Sequence, residues 1–150
     1  MDENKKSALE SLIKLSLELL NASQGAFLSA NEGAKVLNFE VVIVRHGTAE
    51  ILMRMSNKLV GKVTPYGEGV TGRAAITQKP QVAMRSEGGD MAHVKGDGIP
   101  NAVVAVPVVS NGELLGVLTA VCFDSDLSFS NEALRQYQMA AAVASVLLKN

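Results

Sequence analysis

The chain lacks most of what would give it simple covalent or electrostatic chemistry. It has one cysteine, Cys122, so no internal disulfide can form. The absence of paired cysteines fits a reducing, cytoplasmic setting. Formal net charge is −1, from 14 Lys and Arg against 15 Asp and Glu. No strongly basic stretch interrupts that balance, which argues against non-specific binding to nucleic acid, a process driven by counterion release from many phosphate contacts. No apolar run approaches the roughly 20 residues a membrane helix needs. No apolar segment followed by small residues marks a cleaved leader. Histidine occurs only at His46 and His93, in separate segments without metal-ligand spacing. The expectation is a cytoplasmic protein that binds neither nucleic acid nor membrane, or a segment of a longer receptor.

What is present is an ordinary globular balance, 47% apolar and 19% charged over 150 residues, enough for one domain (1–150) with a real core. Residues 5–22 read as a helix with two adjoining apolar stripes, one of Ala8, Leu12, Leu15, Leu19 and Ala22, the other of Leu9, Ile13 and Leu20, broken by Ser16. One stripe can lie on a sheet and leave the other for a partner helix. Gly25 is expected to stop this helix. Strands follow at 25–30 and 35–46, the second with Phe39, Val41 and Ile43 on one buried face. Residues 48–60 fit a helix or a strand and short helix. Residues 83–100 read as a long glycine-rich loop.

Two strong strands, 102–109 and 114–123, are joined by Ser110–Glu113, whose Asn-Gly pair marks a hairpin. A closing helix over 130–148 has Ser130 as its cap. Its stripes are Leu134, Tyr137, Ala141, Ala144 and Leu148 on one side and Met139, Val143 and Val146 on the other.

Gly67, Gly69 and Gly72 have the spacing G-x-G-x-x-G found in dinucleotide sites and in protein kinases. The context fits neither. A dinucleotide fold needs a strand directly before the first glycine, but Pro65 stands there and cannot donate in a central strand. No acidic residue ends the strand after the helix, and the lysine, H-R-D and D-F-G elements of kinases are absent. The glycines are therefore read as a turn, with Gly67 and Gly69 at positive φ and Gly72 allowing close packing of a helix. Phosphate binding at that helix start is the secondary reading.

Three stretches then carry a resemblance. "GEGVTGRAAITQKPQVA" (67–83), "NAVVAVPVVSNGELLGVLTAV" (101–121) and "FSNEALRQYQMAAAVASVLL" (129–148) resemble, in that order, the glycine turn and short helix, the hairpin and the closing helix of GAF domains. The resemblance implies an α+β fold with three α/β/α layers. Its antiparallel sheet of five to six strands carries the terminal helices on one face and a ligand under a roofing helix and loop on the other. It also implies a sensory, non-catalytic domain of signal transduction that forms homodimers through its terminal helices, with a separate or attached output domain. The alternatives are a ligand-free dimerisation module and a relative of the free methionine sulfoxide reductases.

The pattern does not identify the ligand or a cofactor. Cyclic-nucleotide-binding relatives carry N-K…F-x-x-x-D-E; Asn57, Lys58 and Phe129 match, but the D-E pair is missing. Bilin-binding relatives need a cysteine beside a histidine, and Cys122 has no such neighbour. The reductases resolve an oxidised cysteine with a second one, so Cys122 reads as a buried hydrophobe. His93 on the roofing loop is a candidate haem ligand, or an exposed loop histidine. For a small anion or polar metabolite the candidates are Thr71, Arg73, Arg85 and Asn101, since an arginine fork suits carboxylate or phosphate. Otherwise both arginines point to water. Met84 and Met91 can line a soft pocket or simply fill core.

Overall fold

The computed structural model describes residues 1–45, 54, 57–84, 101–123 and 130–149. Helix α1 spans Glu3–Leu20. Asp2 begins it by accepting from the backbone N–H of Lys5 at 2.8 Å, which satisfies one of the donors a helix start leaves open. Asn21, in the left-handed region at φ 57, ends it. The helix therefore stops before Gly25, which already belongs to a strand. A Cβ on Gly25 would lie 2.8 Å from Ile13 Cγ2 and 3.0 Å from Leu17 Cδ2, so that glycine serves close packing of α1 on the sheet.

Strands β1 (Gln24–Asn31) and β2 (Val36–Val44) pair antiparallel. After β2 come β3 (Val63–Pro65), α2 (Gly69–Thr77), β4 (Gln81–Met84), β5 (Ala102–Ser110), β6 (Glu113–Cys122) and α3 (Asn131–Lys149). The sheet has six strands in the order β3-β2-β1-β6-β5-β4, and every pairing is antiparallel. Pro65 sits on the short outer strand β3, where a missing N–H costs no central ladder bond. Asn111 and Gly112, at φ 53 and 81, turn the β5–β6 hairpin. Ser130 caps α3 by accepting from the N–H of Ala133 at 3.1 Å.

Two apolar clusters lie on opposite faces of the sheet. One joins α1 and α3 to the sheet, through Leu9, Ile13, Leu17, Phe27, Leu118 and Tyr137. The other lies under α2, with Leu28, Leu37, Phe39, Val70, Ala74, Val103, Val117 and Val121. Together they make three α/β/α layers with both terminal helices on one face.

The expectation that Phe39, Val41 and Ile43 share one face fails. The pairing of β1 with β2 shifts between Phe27↔Val41 and Leu28↔Phe39. This bulge at Glu40 leaves Phe39 in the α2-side cluster and sends Val41 and Ile43 to the helix side. The readings of 48–60 and of 83–100 fall mostly outside the described residues.

Candidate functional site

The glycine turn is a device for seating α2. Gly67 and Gly69 have φ 84 and 65, a region that glycine enters without steric penalty. A Cβ on Gly72 would lie 2.5 Å from the Pro65 carbonyl oxygen and 2.8 Å from the Gly67 nitrogen. The N–H of Gly67 donates to the Gly72 carbonyl at 2.9 Å, and that of Gly72 donates to Glu68 at 3.0 Å. Those amides serve the turn itself, and Glu68 occupies the N-cap position. This geometry supports the turn reading over phosphate binding.

The turn is tied to the β1–β2 hairpin. Tyr66 donates its hydroxyl to Glu32 Oε1 at 3.0 Å, and Lys35 donates to Glu32 Oε2 at 3.0 Å. The Lys35 ammonium lies 5.6 Å from the Tyr66 ring centre, within cation–π range. Burial, and then the bond to Glu32, push the Tyr66 hydroxyl up to about 12. The bonds from Lys35 and Tyr66 hold the Glu32 carboxyl below its ordinary value.

Beneath α2, the centre of the sheet carries a row of small side chains. Thr119 on β6 is paired with Ala26 on β1 and with Ala105 on β5. All three face α2, since they alternate in step with Val103, Val117 and Val121. Larger residues border the row, Gln24, Val121 and Val103 on one side, Leu28, Val117 and Pro107 on the other. Ala26 and Ala105 are fully buried and Thr119 is 6% exposed. The polar residues buried on this face, Gln24, Thr64 and Thr119, are all uncharged. On the opposite face, the hydroxyl of Tyr137 from α3 donates to the backbone carbonyl of Thr119 at 2.6 Å. Tyr137 is fully buried, and burial pushes its ionisation well above the ordinary tyrosine value.

Of the residues singled out from the sequence, Thr71 and Arg73 lie half-buried on α2. Asn101 stands at the start of β5 and donates its backbone N–H to the Cys122 carbonyl at 2.7 Å. Arg85 and His93 lie outside the described residues, as do His46 and Met91. Cys122 is buried in the helix-side cluster, as expected of a small apolar side chain. Met84 packs partly against that same cluster and not under α2. Sequence reasoning missed Gln24, Ala26, Ala105 and Thr119. The available signal was a threonine and a glutamine at positions whose strand neighbours of the same parity are apolar.

Two surface clefts lie elsewhere. One of about 370 Å³ is lined by Lys14, Leu15, Leu17, Glu18, Ile43, Val44 and Arg45, and one of about 290 Å³ by Gln78, Pro80, Val106, Pro107, Val109, Gln138, Ala141 and Ala142. Neither includes a residue singled out as a ligand contact. Among the described residues no three His, Cys, Asp or Glu side chains cluster as metal ligands, and no helix is long and apolar enough to cross a membrane.

Comparison with known proteins places this geometry. The family model described as GAF domain matches residues 3–149. No curated protein matches the sequence. Among solved structures, the chain is similar to the GAF domain of a phosphoenolpyruvate-protein phosphotransferase from Acinetobacter, at 16% identity and TM-score 0.76, covering 97% of this chain and 82% of that one. It is similar to the free methionine-R-sulfoxide reductase of Neisseria meningitidis, solved with its substrate, at 18% identity and TM-score 0.70, covering 97% and 78%. The GAF-B domain of DevS from Mycobacterium smegmatis gives 16% identity and TM-score 0.69, covering 96% and 93%. At such identities the likeness concerns the fold alone.

Proposed function

This chain belongs to the GAF domain family, whose members are sensory and regulatory domains of signalling proteins, and from that premise we propose that it is a cytoplasmic small-molecule sensor. The ligand lies between the sheet and α2, and its presence is passed to α1 and α3, through which two copies form a homodimer serving an output domain. The observation that carries this reading is the position of Thr119. Its side chain faces α2, while its carbonyl receives the buried hydroxyl of Tyr137 from α3. One residue thus belongs both to the ligand face and to the attachment of the output helix. A ligand shifts such a system only by binding one arrangement of the helices better than another.

Thr71 and Arg73 on α2 and Asn101 at the start of β5 are contacts we assign to the ligand, and Arg85 and His93 are assigned to it from the sequence alone. The reading is regulatory, not catalytic. Some structures with this fold are free methionine-R-sulfoxide reductases, but resolving an oxidised cysteine calls for a second thiol, and Cys122 is buried and alone in the sequence.

A native mass spectrum of gently purified protein, with its visible absorbance, tests the proposal. A dimer carrying non-covalent mass or a visible band is the expected result. A bare dimer whose melting temperature no small molecule raises would make the chain a dimerisation module, since any ligand specific to the native state must raise it. A monomer would remove the helix-mediated dimer.

A further inference from the structure

We propose that the cleft between α1 and the end of β2 is a second binding site. It takes a small amphipathic monocarboxylate, with the hydrocarbon body against Leu17 and Ile43 and the carboxylate on the Lys14 ammonium. The cleft lies on the helix side of the sheet, away from α2, so it goes beyond the sensor reading and does not rest on it. Its local cause is the seat of α1. Gly25 on β1 lets Ile13 and Leu17 come down onto the sheet, since a Cβ there would lie only 2.8 and 3.0 Å from their side chains. On the neighbouring strand β2, Ile43 pairs with Gly25 and Val44 with Gln24. A helix settled that closely over β1 covers the end of β2 only in part, and Ile43, Val44 and Arg45 are half-buried. The space left beside them is about 370 Å³, at the lower end of the roughly 300–1,000 Å³ of small-molecule sites.

The lining sets the chemical class. Leu15, Leu17, Ile43 and Val44 make it mostly apolar. Leu17 is 1% exposed and Ile43 packs against the same buried cluster, so the bottom of the cleft is continuous with the core. A hydrocarbon group laid there leaves water and covers apolar surface of the protein as well. The three charged residues of the lining are not equivalent. Arg45 lies 3.5 Å from the Glu18 carboxylate and donates to the Asn21 side chain, so its charge is already answered. Lys14 makes no hydrogen bond or ion pair among the described residues, and neither Glu10 nor Glu18, one turn to either side on α1, pairs with it. Two cations against one carboxylate leave the lining with one positive charge in excess. A single carboxylate matches that excess, whereas a doubly charged phosphate overshoots it beside Glu18 and a cation is repelled. Lysine also suits the shape, because its stem can lie along apolar surface while the ammonium stays at the wet mouth. An ion pair made at the mouth avoids most of the desolvation cost of a buried one.

Calorimetric titration and amide NMR of the full chain test this, with octanoate, butanoate and octylammonium as probes of the wild type and of Lys14→Gln. Lys14 is exposed and glutamine is an equally good helix former, so the variant keeps the fold. Octanoate is expected to bind the wild type, with amide shifts centred on residues 14–18 and 43–45. Butanoate should bind at least about tenfold more weakly, since its four missing methylene groups leave apolar lining uncovered. Lys14→Gln should lose about three- to tenfold in octanoate affinity, and octylammonium should not bind at these residues. Equal affinity for octanoate and octylammonium would overturn the ligand class. Unchanged octanoate affinity in Lys14→Gln would overturn the role of the lysine. Absence of octanoate binding would overturn the cleft as a site and leave the sensor reading where it stands. Shifts centred on α2 instead would also overturn it, and would support a ligand beneath that helix.

Discussion

Single residues decide whether the layers of this molecule can close. Gly72 and Gly116 hold no unusual φ, yet neither has space for a methyl group. At Gly116 a Cβ would lie 2.2 Å from the Leu28 carbonyl oxygen and 2.6 Å from the Phe27 ring. The obstacle at Gly72 is likewise backbone, the Pro65 oxygen, and backbone cannot rotate away as a side-chain tip can. Gly72→Ala and Gly116→Ala should each lower the unfolding free energy by about 1–3 kcal/mol, read as a drop in urea midpoint at unchanged slope. Gly33→Ala is the control. Its new Cβ would meet only Asn31 Oδ1 at 3.6 Å, and the change should stay within about 0.5 kcal/mol.

At the scale of elements, each terminal helix carries two kinds of apolar residue. On α1, Leu9, Ile13 and Leu17 are buried while Leu15 and Leu19 remain about 60% exposed, at 60% and 62%. Ser16, which interrupts the apolar stripe in the sequence, is buried because its hydroxyl donates to the Leu12 carbonyl at 2.8 Å within the helix. On α3, Tyr137, Ala141 and Ala144 are buried while Met139, Val143 and Val146 are exposed. Lys5 near the start of α1 donates to the Leu148 carbonyl near the end of α3 at 3.3 Å, so the helices run antiparallel. The two sets separate folding from association. Leu15→Gln with Leu19→Gln should convert the proposed dimer to a monomer in light scattering while the chain stays folded. Leu9→Ala should instead cost about 2–5 kcal/mol of fold stability. A double variant that remains dimeric would place the interface elsewhere.

Across the whole molecule, the Tyr137–Thr119 bond joins the layer of terminal helices to a strand residue whose side chain faces α2. Tyr137→Phe keeps the ring in the core and removes only that bond, at a cost of about 0.5–1.5 kcal/mol, since the Thr119 carbonyl stays within the strand ladder. It should still bind ligand but lose the ligand-dependent change in amide exchange along α3. The burial of Tyr137 also predicts a response to alkali. Burial raises the Tyr137 ionisation above its ordinary value of 10, and Tyr66 is raised to about 12. Above pH 10 the unfolded chain releases protons that the folded chain retains, so stability falls as pH rises. Urea midpoints should be flat up to about that pH and then decline, with the larger part of the decline absent from Tyr137→Phe. The part due to Tyr66 should remain up to about pH 12.

The terminal helices, the Asn-Gly hairpin, the glycine turn and the antiparallel class are all legible in the sequence, because each rests on local rules of periodicity, capping and positive φ. The division of each helix into two apolar stripes was legible for the same reason. Which stripe of α1 is buried was not, since that depends on the sheet against which the helix settles. Nor was the bulge at Glu40, an irregularity of pairing between two strands that parity within one strand does not reveal. The candidate site was the least legible. Ala26, Ala105 and Thr119 are separated along the chain by 79 and 14 positions, and only antiparallel pairing sets them side by side. Polarity and charge draw the eye to arginines and histidines. This row is made of alanines flanking a threonine, wholly or almost wholly buried, and which residues pack together there is settled only when the strands pair and α2 settles on them.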